Sequence, residues 1–203
     1  MTIVAVDGPT GVGKSTTARV LASRLGADLL LDPVSVSPLL DGYYTGDAKP
    51  AAELGSELAF LRGRARLMTT AATNRVVVAD FTMLRTAPFA EFLSAPDDRR
   101  LVLDEMRAAI ASGPRVAVLV LLDARPETLL ARVRTRDRRV EAPLTIEHLV
   151  ELHRHFRTWR PEMVAHADAC IELGTGGWNP RRPADVDDLV ERVELLLGPQ
   201  PEY

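Results

Sequence analysis

The residues Gly8-Pro9-Thr10-Gly11-Val12-Gly13-Lys14-Ser15 constrain this chain more than any other stretch. They fit the pattern G-x-x-x-x-G-K-[ST], a loop whose backbone N–H groups wrap the phosphates of a nucleotide. The flanks are those such a loop requires. Ile3-Val4-Ala5-Val6 reads as a short buried strand before it, and Thr16 to Leu25 as a helix after it. Glycine lets the backbone turn tightly on an anion, and the helix N-terminus adds unpaired N–H groups and the positive end of a dipole. In this reading Gly8, Thr10, Gly11, Val12, Gly13, Lys14, Ser15 and Thr16 surround phosphate. Lys14 reaches the β and γ phosphates, and the Ser15 hydroxyl holds Mg²⁺. Of the 25 basic residues only Lys14 and Lys49 are lysine. A chain so biased to arginine keeps lysine here because a slim point charge fits where a planar fork would not.

The remaining totals narrow the class. A length of 203 residues is expected to make one domain, residues 1–203, and 46% hydrophobic content supplies a single core. A net charge of −3 argues against a nucleic-acid partner, which selects a basic surplus. Asp7 interrupts the first apolar run with no basic leader before it, which is unlike a signal peptide. The longest apolar run, Val116 to Leu122, has strand length and is too short for a membrane span. The expectation is a cytoplasmic protein with no membrane partner. The lone Cys170 excludes an internal disulfide and is read as a buried thiol.

Strands and helices alternate along the chain, as a parallel α/β sheet requires. After the first strand, Leu29-Leu30-Leu31 reads as a second that stops at Asp32-Pro33, followed by an irregular loop to Pro50. Ala51 to Ala72 reads as a long helix, with Leu54, Leu58, Leu61, Ala65 and Met68 at helical spacing. Val76 to Ala79 is a third strand ending at Asp80, and Val116 to Leu122 a fourth ending at Asp123. Shorter helices are expected over Pro88 to Leu93 and Asp97 to Ala111, and Pro126 suits the first turn of another. Ile146 to Val164 is a long helix, Ala169-Cys170-Ile171 the last strand, and Val186 to Leu197 an amphipathic helix.

In an open parallel sheet, ligands bind beyond the carboxyl ends of the strands. Asp32, Asp80 and Asp123 all stand there. Phosphoryl transfer needs a carboxylate near Mg²⁺ and another that takes a proton from the acceptor. Asp123, just before a Pro-Glu helix start, is read as a helix cap instead. The segment Arg132 to Arg139 holds arginines on one helix face, Arg132 and Arg136 one turn apart. Alone it could be a solvated face; beside a phosphate loop it reads as a clamp on transferring phosphate. His153 and His155 fall on different helix faces, so no shared metal site is expected. Trp159 and Phe156 read as packing, and Trp178 as a loop anchor.

Taken together, the phosphate loop, Asp32-Pro33-Val34 and Glu57-x-x-Phe60-Leu61-x-x-Arg64 resemble the deoxynucleoside kinases. So do Asp80 with Phe89-Ala90, Leu122-Asp123-Ala124-x-Pro126-Glu127, and Arg136-x-Arg138 with Ile146-Glu147-x-Leu149, over roughly Ile3 to Trp159. The resemblance implies a P-loop kinase fold: a three-layer α/β sandwich with a parallel sheet of about five strands and an arginine-rich lid near residues 132–143. It implies ATP- and Mg²⁺-dependent phosphorylation of a nucleoside 5′-hydroxyl, and a homodimer through the long helices. Asp32 matches the general base, where the family usually has Glu, and Asp80 the acid that helps hold Mg²⁺. Arg132, Arg136 and Arg138 match lid positions that touch phosphate. Glu141 and Tyr44, or Tyr43, match residues at the sugar 3′-hydroxyl.

Two departures stand out. Phe81 follows Asp80 where the family has arginine, and Arg85 could supply that charge. Glu57 replaces a base-reading glutamine; Arg64 lies two turns on along the same face, about 10 Å by helical rise. Glu57 is therefore either a reader of N–H donors or a partner for a neighbouring cation. The departures keep open a kinase for another small acceptor, such as a nucleoside-like natural product or a nucleoside monophosphate. A nucleotide-binding regulator without catalysis is the third reading.

Overall fold

Three runs of apolar residues, in Thr2–Asp7 (β1), Val76–Ala79 (β3) and Val116–Asp123 (β4), form the middle of the sheet. Their near-continuous apolar character is what burial on both faces demands of parallel strands. Short Asp28–Leu30 (β2) and half-exposed Ala167–Gly174 (β5) close the two edges. The order is β2-β3-β1-β4-β5, all parallel. The computed structural model describes residues 1–33, 50–71, 76–136, 141–174 and 176–198.

Seven α-helices among the described residues flank the sheet: Lys14–Leu25 (α1), Pro50–Thr70 (α2), Thr86–Ala90 (α3), Pro96–Ser112 (α4), Pro126–Arg136 (α5), Ile146–Ala165 (α6) and Pro183–Leu197 (α7). Helices α1 and α7 pack together as one group, while α2, α3, α4 and α6 form another. This is the three-layer P-loop fold that the resemblance implies. The order in which strands are added switches sides at β1, with β3 on one side and β4 on the other. The crevice beyond β1 is therefore the position at which such sheets bind ligands. No helix among the described residues is long and apolar enough to cross a membrane.

Several boundaries differ from the sequence reading for physical reasons. Helix α1 begins at Lys14, not Thr16, because Gly13 takes a left-handed conformation (φ 111°) and turns the loop directly into the helix. Strand β2 ends at Leu30, so Leu31 joins Asp32 in irregular backbone. Strand β5 has eight residues, not three; its alternately exposed edge positions masked its length. Helix α3 starts earlier, at Thr86, after a 3₁₀ turn at Met83–Arg85 capped by the Thr82 hydroxyl. Helix α6 runs through Pro161, which lies on its exposed face, where water can serve the carbonyl left without an N–H partner. Asp123 does not cap α5. It pairs with His153 Nε2 at 2.7 Å, while His155 points elsewhere, to Phe92. Cys170 is half-buried rather than buried, and burial with the charge of Glu172 pushes its thiol up to about 11. Trp159 donates to Glu91, and Trp178 anchors its loop on the Asp185 carbonyl.

Candidate active site

The phosphate loop is shaped by contacts that only glycine allows. A Cβ on Gly8 would stand 2.3 Å from the Leu122 carbonyl oxygen, and one on Gly11 would stand 2.8 Å from the Leu129 carbonyl oxygen. Both residues also have positive φ. The loop is thus pressed against the end of β4 and the first turns of α5, leaving its inner side for an anion. Val12 is buried beneath it, Thr10 is buried, and Thr16 is exposed on the first turn of α1. Lys14 folds back over the loop, its Nζ donating to the Gly8 and Pro9 carbonyls at 2.9 Å each. Burial, reinforced by the charge of Arg85, lowers its pKa to about 7 against the pull of Asp7, Asp80 and Asp32.

The three strand ends next to the loop carry Asp7, Asp32 and Asp80. Ser15 Oγ donates to Asp80 Oδ2 at 2.5 Å, and the Asp32 backbone N–H donates to Asp80 Oδ1 at 2.5 Å. Asp80 therefore ties the start of α1 to the end of β2. The Asp32 carboxylate is gripped at both oxygens by Arg64, Nε to Oδ1 and Nη2 to Oδ2, each 3.1 Å. Arg85 Nε stands 3.2 Å from Asp32 Oδ2. Burial would raise the Asp32 pKa, but Arg64, then Arg85 and Lys14, outweigh it and hold the carboxyl below its ordinary value. Burial likewise opposes the Arg64 charge, and Asp32, followed by Glu57 and Asp7, reverses that and raises its pKa. Arg64 Nη1 is further fixed by Thr86 Oγ1 at 3.0 Å.

Arg85 is the residue that the Phe81 departure left in question. Phe81 points into the core, and Arg85, one 3₁₀ turn on, comes back to the site. Its Nη1 donates to the Gly8 carbonyl at 2.7 Å and to Asp7 Oδ1 at 3.2 Å, and its guanidinium lies 5.0 Å from the Phe89 ring centroid. Asp7 was missed as a site residue. It is fully buried and accepts from Gly8 N–H, Thr82 N–H, Thr82 Oγ1 and Arg85. The available signal was an acid at the last position of an otherwise apolar strand, directly before the glycine loop.

The lid residues reach in from α5. Arg132 Nη1 donates to the Val12 carbonyl at 3.0 Å, which places it on the phosphate loop. Arg136 pairs with Glu141 Oε2, five residues on. Glu141 and Glu57 are both buried, the latter on the inner face of α2. Arg138, Tyr44 and Tyr43 lie outside the described residues. The structure thus brings Lys14, Ser15, Asp32, Arg64, Asp80 and Arg85 into one network, with Arg132 on the loop, while Arg136 and Glu141 pair with each other.

The pair Ser15 and Asp80 offers a hydroxyl and a carboxylate oxygen side by side, as Mg²⁺ bound mainly by phosphate and water requires. Among the described residues there is no cluster of three or more His, Cys, Asp or Glu side chains able to cage a metal alone. The donor set fits Mg²⁺ delivered with a nucleotide.

Comparison with known proteins agrees with this geometry. The chain is 25% identical over 154 residues to the deoxyguanosine kinase of Bacillus subtilis (strain 168), covering 73% of each protein. It is 31% identical over 140 residues to the thymidylate kinase of Xanthomonas euvesicatoria pv. vesicatoria (strain 85-10), covering 66% of this chain and 61% of that protein. The structure of deoxyadenosine kinase from M. mycoides with bound dCTP superposes with a TM-score of 0.79 at 16% identity, over 95% of this chain and 98% of that one. Residues 4–175 match the deoxynucleoside kinase family model. The chain belongs to the deoxynucleoside kinase family and is a nucleotide-using phosphotransferase.

Proposed function

We propose that this chain transfers the γ-phosphate of ATP to the 5′-hydroxyl of a deoxynucleoside, with Mg²⁺, at the junction of the phosphate loop and the end of β2. The observation that carries the reading is the position of Asp32. Its carboxylate is held by Arg64 and Arg85, and its backbone is tied to Asp80, the partner of Ser15. An acceptor hydroxyl on Asp32 then stands beside phosphates cradled by Gly8 to Thr16.

Asp32 stays ionised at neutral pH and accepts the hydroxyl proton in a hydrogen bond, aligning the oxygen on phosphorus. Its low pKa makes it a weak base. That suits a loose phosphoryl transfer, in which positioning and charge stabilisation dominate. Lys14 moves from the Gly8 and Pro9 carbonyls to the β and γ phosphates. Ser15 and Asp80 would hold Mg²⁺, which would supply positive charge to offset the negative charge of the phosphates. Arg132, Arg136 and Arg138 take up charge that develops on the transferred group. Glu141 and Tyr44 contact the sugar.

A nucleoside rather than a monophosphate is favoured by the charge balance of the acceptor side. Lys14, Arg64 and Arg85 face Asp7, Asp32 and Asp80, so no surplus of cations awaits an acceptor phosphate among these described groups. The same reading makes the chain one cytoplasmic kinase domain, working as a homodimer through its long helices. The test is ATP consumption with Mg²⁺ against deoxynucleosides, ribonucleosides, monophosphates and simple alcohols, with product mass checked. Turnover confined to deoxynucleosides, yielding 5′-monophosphates, is the expected result. Turnover only with monophosphates, or nucleotide binding without turnover on any acceptor, would overturn it.

A further inference from the structure

The reaction proposed above gives no task to Glu57. Its place follows from the face of α2 on which it lies. Glu57, Leu61, Arg64 and Met68, at i, i+4, i+7 and i+11, are each no more than 5% exposed. Met68 lines an apolar cleft with Val116, at the start of β4, and with His166 after the end of α6. That is the amino edge of the sheet. Arg64, one turn nearer the helix start, meets Asp32 beyond the carboxyl end of β2. Helix α2, read backwards, therefore climbs from the amino edge past the catalytic carboxylate. Glu57 lies two turns further, roughly 10 Å of helical rise, on the side where the acceptor must extend. Leu54 and Leu58 turn away to pack on Ala90, Leu93 and Val102. That rise, counted from Arg64, which grips Asp32, is on the order of the length of a nucleoside from its 5′ oxygen to its base.

A buried carboxylate is costly unless it is paired, and Glu57 is already part of the polar network around Arg64. When ionised it only accepts, through two oxygens set side by side. The base edge that matches has two adjacent N–H donors. Guanine presents them at N1 and the 2-amino group. Adenine and cytosine offer one donor beside an acceptor ring nitrogen, and thymine one N–H between two carbonyls. We propose that Glu57 is the specificity-determining residue of this site and selects guanine, so that deoxyguanosine is the acceptor. This rests on the nucleoside-kinase reading.

The experiment compares kcat/KM of the full chain on deoxyguanosine, deoxyinosine, deoxyadenosine, deoxycytidine and thymidine, for the wild type and Glu57→Gln. Deoxyguanosine is expected to exceed deoxyadenosine by about 10⁴-fold, because the wrong edge leaves buried polar groups unpaired. Deoxyinosine, which keeps N1–H and lacks the 2-amino group, should fall between them. In Glu57→Gln, whose amide offers one donor and one acceptor, the ratio should move toward deoxyadenosine and deoxycytidine. A wild type that phosphorylates nucleosides but prefers another base overturns this inference and leaves the kinase reading intact. An unchanged ratio in Glu57→Gln also overturns it. Silence on every nucleoside overturns both. The deoxyinosine comparison needs only the wild type, so deoxyinosine turned over as well as deoxyguanosine overturns the inference even if the variant fails to fold.

Discussion

The floor of the site and its lid are both made of arginine and carboxylate, but they hold charge in different ways. On the floor, Arg64 and Arg85 are 2% and 7% exposed, and each meets Asp32 while holding a second partner, Thr86 or Asp7. In the lid, the Arg136 side chain is 35% exposed and pairs with Glu141, five residues on. Buried charges interact through a low dielectric and are costly when left alone, so the floor is locked into one geometry before any ligand arrives. The lid arginine gives up little on exchanging Glu141 for phosphate, because water already screens it. In the proposed reaction the floor positions the acceptor, and the lid responds to the donor.

Changes to the floor should therefore cost more, and cost it differently, than changes to the lid. Asp32→Asn should lower kcat by about 10³-fold, the range for loss of a positioned base, while ATP affinity stays near wild type. Rapid-quench turnover and nucleotide titration measure the two separately. Asp7→Asn strikes the floor away from the reacting oxygen. It removes the charge that balances Arg85 at the head of the loop, so stability should fall by roughly 3 kcal/mol. Denaturant unfolding against an Arg107→Ala control, which breaks only the exposed pair with Asp104, would reveal that contrast. The control should lose well under about 1 kcal/mol. Arg136→Gln in the lid should lower kcat by about 10²-fold with an unchanged unfolding midpoint. Equal loss of stability in Arg136→Gln and Asp7→Asn would erase the proposed division between lid and floor.

The smallest effect is one of pH. In the free protein Lys14 loses its proton near pH 7, well below its ordinary 10.5. Phosphate would restore the charge, so nucleotide binding above neutrality should take up a proton and weaken as pH rises toward 9. Calorimetry at pH 8.5 in two buffers of different ionisation heat should find uptake approaching one proton per nucleotide. The sign for folding is opposite. Between about pH 7 and 10.5 the unfolded chain holds the Lys14 proton and the ligand-free fold does not, so Lys14 makes stability rise with pH over that window. Asp32 acts at the other end. Its depressed pKa contributes stability above its ordinary value, and that stability is lost as pH falls through the folded value.

The glycine loop, its strand and its helix were legible in the sequence because their cause is local. The turn needs Gly8 and Gly11 where no Cβ fits, and apolar runs of strand length can only be buried strands in a chain that alternates with helices. Asp32 and Asp80 were legible for the same reason, as acids that end such runs. The pairing of Arg64 and Arg85 on Asp32 was not, since it joins positions 32 and 53 residues apart in sequence through helix α2 and a 3₁₀ turn. Asp7 and Thr82 gave no sign of their bond, and the eight residues of β5 were hidden by edge exposure. Local backbone geometry and burial pattern therefore determined the loop, the strands and the chemical class. Which charges share a buried site is a long-range question of packing, and only the tertiary structure decided it.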